Sequence, residues 1–204
     1  MSSARRGLFI TFEGVEGSGK TTQAELLGQA LQGRDAVVVR EPGGTELGER
    51  IREVLLFGGM EIDPEAEMYL FMAARSQLIG EVIRPGIDAG QVVIADRYHD
   101  STLAYQGGGR GLATYWPPAF PKPDITFLLE LPVEGGRMRQ LVAGKKADRV
   151  ESEPSDFHDR VASAYDRMAA DEPQRFTRID ASGSPEHVHS QVMQRVEAAL
   201  VGLA

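Results

Sequence analysis

Apolar residues along this chain fall in short runs separated by longer amphipathic stretches. The runs 8–12, 36–39, 91–95, 125–131 and 176–179 are each short, rich in Val, Ile, Leu and Phe, and bounded by turn residues, so they read as buried strands. The stretches 21–31, 46–57, 64 to about 80, 156–170 and 185–200 carry apolar residues at helical spacing. Pro64 and Pro185 stand where a helix can begin. Residues 1–7 read as a frayed tail. Residues 112–123 hold Pro117, Pro118, Pro121 and Pro123, which excludes a long helix there. Strand followed by helix, repeated, is the α/β pattern. No internal repeat and no clear linker interrupts it, so the expectation is one domain over 1–204.

Composition narrows the classes of function. The 204 residues suffice for a proper core. With 22 Lys and Arg against 30 Asp and Glu, the net charge of −8 disfavours a nucleic-acid binder, which needs a broad basic surface. A small phosphorylated substrate stays compatible, because a local arginine cluster can serve it. The absence of cysteine removes disulfides, thiol catalysis and thiolate metal sites. No apolar run reaches membrane-spanning length, and Arg5-Arg6 is not followed by a signal-type apolar segment, so no membrane role is expected and the cytoplasm is the expected compartment.

The chemistry sits first at 14–21. Gly14, Val15, Glu16, Gly17, Ser18, Gly19, Lys20 and Thr21 fit the phosphate-loop pattern G-x-x-x-x-G-K-[ST], between a strand and a helix as the pattern requires. Glycines let successive N–H groups turn inward toward phosphate oxygens, Lys20 adds a mobile charge, and Thr21 can ligate Mg²⁺. Asp96 closes the third strand, where a Mg²⁺-organising carboxylate is expected. On the third helix Met68, Phe71, Met72 and Arg75 share one face. Two readings stay open there: Phe71 in the core with Arg75 meeting a carboxylate, or a ring for stacking beside a fork for hydrogen bonding. Gly107-Gly108-Gly109 suggests a flexible connection or a close approach to ligand. Arg137, Arg139, Lys145, Lys146 and Arg149 form a basic run in an acidic chain, either a solvated helix face or part of a site.

Taken together, Phe12-Glu13-Gly14, Arg40-Glu41-Pro42-Gly43-Gly44-Thr45, Ala73-Ala74-Arg75, Asp96-Arg97-Tyr98, Ala104-Tyr105-Gln106 with the glycines to Gly111, and Asp148-Arg149-Val150-Glu151 resemble the thymidylate kinases. The resemblance implies a three-layer α/β sandwich of the P-loop nucleoside monophosphate kinase type. Its five-stranded parallel sheet would run in the order 2-3-1-4-5, with a lid at about 135–152. It implies ATP and Mg²⁺ as cofactors, dTMP as acceptor and a homodimer. Residue by residue it implies that Phe71 stacks on thymine and Arg75 bonds its carbonyl edge. Ser101, Tyr105 and Gln106 line the nucleoside pocket. Arg97 binds the dTMP phosphate with help from Arg40, and Glu16 orients the acceptor sugar. The loop 14–21 with Thr22 binds ATP, and Thr21 and Asp96 serve the metal. Relatives carry a cis bond before the residue matching Pro42. No basic residue lies within the phosphate loop apart from Lys20, so the transition-state cation is expected from the lid, with Arg149 first and Lys145 and Lys146 assisting. The segment 112–123 is shorter than is usual in the family by roughly two helical turns. A nucleoside kinase or a nucleotide-dependent switch are the rival readings, and the chain lacks an Asn-Lys-x-Asp guanine-reading motif.

Overall fold

Leu8, Ile10 and Phe12 leave one face of a strand while Phe9, Thr11 and Glu13 leave the other, and both sets are buried. Such a strand must sit inside a sheet covered on both sides. The computed structural model, which describes residues 6–144 and 147–202, places it there. The strands are β1 (Leu8–Glu13), β2 (Ala36–Arg40), β3 (Val92–Asp96), β4 (Ile125–Glu130) and β5 (Phe176–Asp180). All pair in parallel in the order β2-β3-β1-β4-β5. Ile10 stands level with Ile94 on one side and Ile125 on the other.

Helices α1 (Lys20–Ala30) and α8 (Pro185–Gly202) cover one face, where Leu27, Val192 and Val196 pack against Phe12, Ile94 and Phe127. The opposite face takes α2 (Glu46–Phe57), α3 (Pro64–Leu78) and α7 (Ser155–Asp171). Local chemistry starts α2 and α3 where the pattern expected. Thr45 Oγ1 accepts from the Gly48 N–H at 3.0 Å, and Asp63 accepts from the Glu65 N–H at 2.9 Å ahead of Pro64. Each such cap contributes about 1 kcal/mol. Beyond Leu78 the chain continues helically through a π turn, Ile79–Ile83, into α4 (Arg84–Asp88), so this element outruns the expected end near residue 80.

The glycine run is packed helix, not a flexible connection. After α5 (His99–Thr102), residues Leu103–Gly109 form a π-helical segment packed on α7. A Cβ on Gly108 would lie 2.5 Å from the Ala164 Cβ, and one on Gly109 would lie 2.5 Å from the Phe157 ring. The absence of side chains is what lets the two elements touch. Because the Ala164 methyl is fixed to the α7 backbone, Gly108→Ala is expected to destabilise the fold by about 1–3 kcal/mol. A thermal melt checks this: Tm should fall by several degrees, and an unchanged Tm would mean that α7 gives way freely.

The short proline-rich stretch 111–123 has no helix or strand, as the prolines require. Trp116 and Phe120 turn inward from it toward Tyr98 and His99. After β4, helix α6 (Val133–Val142) carries Arg137 and Arg139 of the basic run. Among the described residues, no helix is long and apolar enough to cross a membrane.

Candidate active site

The C-terminal ends of parallel strands carry the loops that bind ligands in such sheets. Here the ends of β1, β2 and β3 open on a cavity of about 530 Å³. At one end the loop after β1 winds into α1. Gly17, at φ 71°, presses against α6, where an added Cβ would sit 2.3 Å from the Gly136 carbonyl. Behind the loop, Lys20 Nζ donates to the carbonyls of Gly14 (3.0 Å) and Val15 (2.7 Å). Burial, and then the nearby Arg97 charge, push the Lys20 ammonium down to about 8. Its charged form is the one that meets phosphate, so kcat/KM for ATP is expected to fall above an apparent pKa near 8. Bound phosphates favour the cation, so kcat itself should hold to higher pH. Rates from pH 6 to 10 test this, and a kcat/KM flat to pH 9.5 would overturn it.

Thr21 Oγ1 donates to Asp96 Oδ2 at 2.5 Å. A hydroxyl and a carboxylate meeting at the loop fit an ion that takes few protein ligands and keeps its waters and phosphate oxygens.

In the middle of the cavity stands Arg97. It holds a left-handed backbone conformation at φ 69°, unusual for a residue with a side chain, with its N–H donating to the Phe12 carbonyl at 3.0 Å. Its guanidinium reaches Ser101 Oγ (3.2 Å), Tyr105 Oη (3.1 Å) and Glu16 (3.3 Å). The Tyr105 hydroxyl donates to Glu16 at 2.5 Å, and His158 Nδ1 lies 3.2 Å from the other Glu16 oxygen. Burial opposes ionisation of Glu16. The His158 bond, the charges of Arg97 and Lys20 and the Tyr105 hydroxyl overcome it and hold this carboxyl well below the usual range. Glu13, fully buried beneath, accepts from the Tyr98 N–H and from the Ser101 and Tyr165 hydroxyls. Burial, and next the Asp100 charge, push its carboxyl up to about 7.

At the far end lie Phe71, Arg75 and Gln106. The first reading of the α3 face, an arginine meeting a carboxylate beside a core phenylalanine, is what the structure shows. Arg75 is almost fully buried and bonds to Glu41 at 2.6 Å, yet it also lines the cavity. Phe71 is partly buried and packs on the core from the same wall. The Glu41–Pro42 peptide is cis, and Pro42 lines the cavity with Arg40.

Of the residues expected from the sequence, Glu16, Gly17, Gly19, Lys20, Thr21, Thr22, Arg40, Pro42, Phe71, Arg75, Asp96, Arg97, Ser101, Tyr105 and Gln106 line this one cavity. Gly14, Val15 and Ser18 form the back of the loop and hold Lys20 from behind. Arg149 is not brought to the loop. Its Nη2 lies 2.6 Å from Glu67 and its Nε donates to the Leu55 carbonyl at 2.9 Å. Lys145 and Lys146 lie outside the described residues. From the stretch 135–152, Arg139 lines the cavity, with its Nη2 donating to the Ala181 (2.8 Å) and Ser182 (3.2 Å) carbonyls. Sequence reasoning missed His158, Glu13, Glu67 and Arg52, the last of which lines the cavity and donates to the Pro42 carbonyl.

A parallel sheet in this order, a phosphate loop at one end of the cavity and an aromatic–arginine wall at the other define a phosphate-loop kinase of the nucleoside monophosphate type. Comparison with known proteins narrows the class. The thymidylate kinase family model matches residues 12–192. A thymidylate kinase of Desulfovibrio desulfuricans is 46% identical over 211 residues, covering 95% of this chain and 96% of that protein. One from Gluconobacter oxydans is 42% identical over 208 residues, covering 97% of each. The crystal structure of thymidylate kinase from Ehrlichia chaffeensis superposes with a TM-score of 0.73 at 30% identity, over 94% of this chain and 99% of that one. The chain belongs to the thymidylate kinase family.

Proposed function

We propose that this chain transfers the γ-phosphoryl group of ATP to the 5′-phosphate of dTMP, giving dTDP and ADP on the route to dTTP. The observation that carries this reading is the single cavity with its two chemically different ends. Lys20, Thr21 and Asp96 suit the donor's phosphates, Phe71, Arg75 and Gln106 suit a pyrimidine, and Arg97 stands between them. In-line transfer to an acceptor that is already an anion needs no general base. It needs position and positive charge around the moving phosphoryl.

In this reading Lys20 leaves the loop carbonyls for the donor phosphates. Thr21 and Asp96 would hold Mg²⁺, which when bound neutralises charge on those phosphates. Arg97, already tethered by Glu16 and Tyr105, presents its fork to the acceptor phosphate, with Arg40 at the cavity wall. Glu16, kept ionised, accepts from the acceptor sugar, and Tyr105 fills the space at its 2′ position. Arg149 crosses from Glu67 to the transferring group as the lid at about 135–152 closes, excluding water. The domain would be one unit over 1–204, working in the cytoplasm as a homodimer. Support for the dimer comes from Leu47, Val54 and Phe57, exposed along one stripe of α2; light scattering on the eluted protein tests it.

The deciding experiment is ADP release with MgATP against dTMP, dUMP, dGMP, CMP and thymidine. Turnover is expected to be strongest with dTMP. Preference for thymidine would point to a nucleoside kinase, and acceptor-independent turnover alone to a nucleotide switch.

A further inference from the structure

An arginine side chain has five N–H groups, and in Arg75 all three nitrogens are engaged. Nε and Nη2 both lie 2.6 Å from Glu41 Oε2, and Nη2 also reaches the Tyr98 carbonyl at 3.1 Å. Nη1 meets Thr102 Oγ1 at 2.8 Å and His99 Nδ1 at 3.2 Å. A base carbonyl can therefore be bound only by exchange. The two partners of Nη1 differ in their fitness for that. Thr102 lines the cavity and carries a hydroxyl that rotates; His99 does not line it and is fully buried.

His99 is also locked from behind. Its Nε2 lies 2.8 Å from the Tyr115 carbonyl, which can only accept, so Nε2 carries the hydrogen and Nδ1 is left with a lone pair for Arg75. Trp116 and Phe120 meet the ring edge-on at 4.8 and 5.4 Å, fixing its plane. Tyr115, Trp116 and Phe120 all come from the short proline-rich stretch. Burial, and then the adjacent Arg75 charge, push the imidazole down to about 3, so it stays the neutral acceptor at working pH.

We propose that His99 is a specificity-positioning residue. Seated as the Nε2–H tautomer by the Tyr115 carbonyl, it keeps one Nη1 hydrogen of Arg75 committed, so that only the Thr102-facing hydrogen turns to the base. This rests on the reading that Arg75 faces the base. It commits the pocket to pyrimidines with a carbonyl at position 4 and against those with an amino group there, which offers a donor where Arg75 needs an acceptor.

The test compares dTMP with 5-methyl-dCMP, which differ in the 4-substituent and in the N3 hydrogen that goes with it. His99→Phe keeps a ring between Trp116 and Phe120 but removes the acceptor. It is expected to lower the dTMP to 5-methyl-dCMP ratio of kcat/KM about tenfold, chiefly through KM for dTMP. His99→Asn, whose amide oxygen takes the Nδ1 position, is expected to restore most of the ratio. On the wild-type protein, ¹⁵N spectra of the histidines should show one ring held as the neutral Nε2–H tautomer from pH 5 to 8. Imidazolium or Nδ1–H at His99 would overturn the proposal without any variant. If Arg75→Ala abolishes the discrimination while His99→Phe leaves it unchanged, the role of His99 is overturned and the base pocket stands. If Arg75→Ala leaves the discrimination intact, the base-pocket reading falls and takes this inference with it.

Discussion

Lys20→Met is expected to lower kcat by about 10³-fold with saturating dTMP, and to weaken ATP binding as well. The methionine keeps the length and apolar stem of the side chain, so α1 should form as before. What disappears is a buried cation held ready by the Gly14 and Val15 carbonyls. Those carbonyls are weaker partners than phosphate oxygens, so the ammonium can leave them for the donor, and its charge counts most where water is excluded. Lys20→Arg should not restore the rate, because a planar fork cannot occupy a seat shaped for three point-charge bonds. Steady-state rates alongside circular dichroism check this. A loss below tenfold in a folded variant would mean that Arg97 or Arg139 supplies the charge ascribed to Lys20.

Much of the site could be read from the chain because its parts are local. Residues 14–21 act through their own backbone, and strand-then-helix polarity decides where such a loop must lie. Asp96 closes a strand and Arg97 and Pro42 follow strand ends for the same reason, while the cis bond before Pro42 came only from the family resemblance. The sheet itself was legible in the way Phe9 and Ile10 both had to be buried. What the chain concealed are residues whose meaning depends on a distant partner. His158 lies on α7 with Val161 and Tyr165 at i+3 and i+7, and Glu67 lies on α3 with Phe71 and Arg75 at i+4 and i+8. In each helix a polar residue on the buried stripe was the available signal, because such a group must find a partner. The glycines 107–109 could serve a hinge, a ligand or a close contact, and only α7 decides among these. The Arg75 readings could not be separated by pattern, since burial of the guanidinium by Glu41 is what holds it at the cavity wall.

Arg149→Ala is expected to lower kcat by about 10³-fold, the low end for a transition-state arginine, while KM for dTMP changes little. The structure makes this a sharper test than the motif alone would. Arg149 rests on Glu67, a buried carboxylate that also takes Gln106 at 2.8 Å and the Arg110 fork at 3.0 and 3.1 Å. Those charge-assisted bonds, working against burial, hold the Glu67 carboxyl below its ordinary value. If Arg149 acts on the phosphoryl, it must leave that anion, and Glu67→Gln should ease its departure. The Gln variant would then keep kcat and raise ADP release in the absence of dTMP, and adding Arg149→Ala would cancel the rise. If Arg149 instead serves only to tie the lid to α3, both single variants should shift Tm and KM for dTMP together and leave kcat within tenfold. The cation on the moving phosphoryl would then have to come from Arg139, which borders the cavity and would leave the Ala181 and Ser182 carbonyls, and Arg139→Ala would inherit the 10³-fold loss.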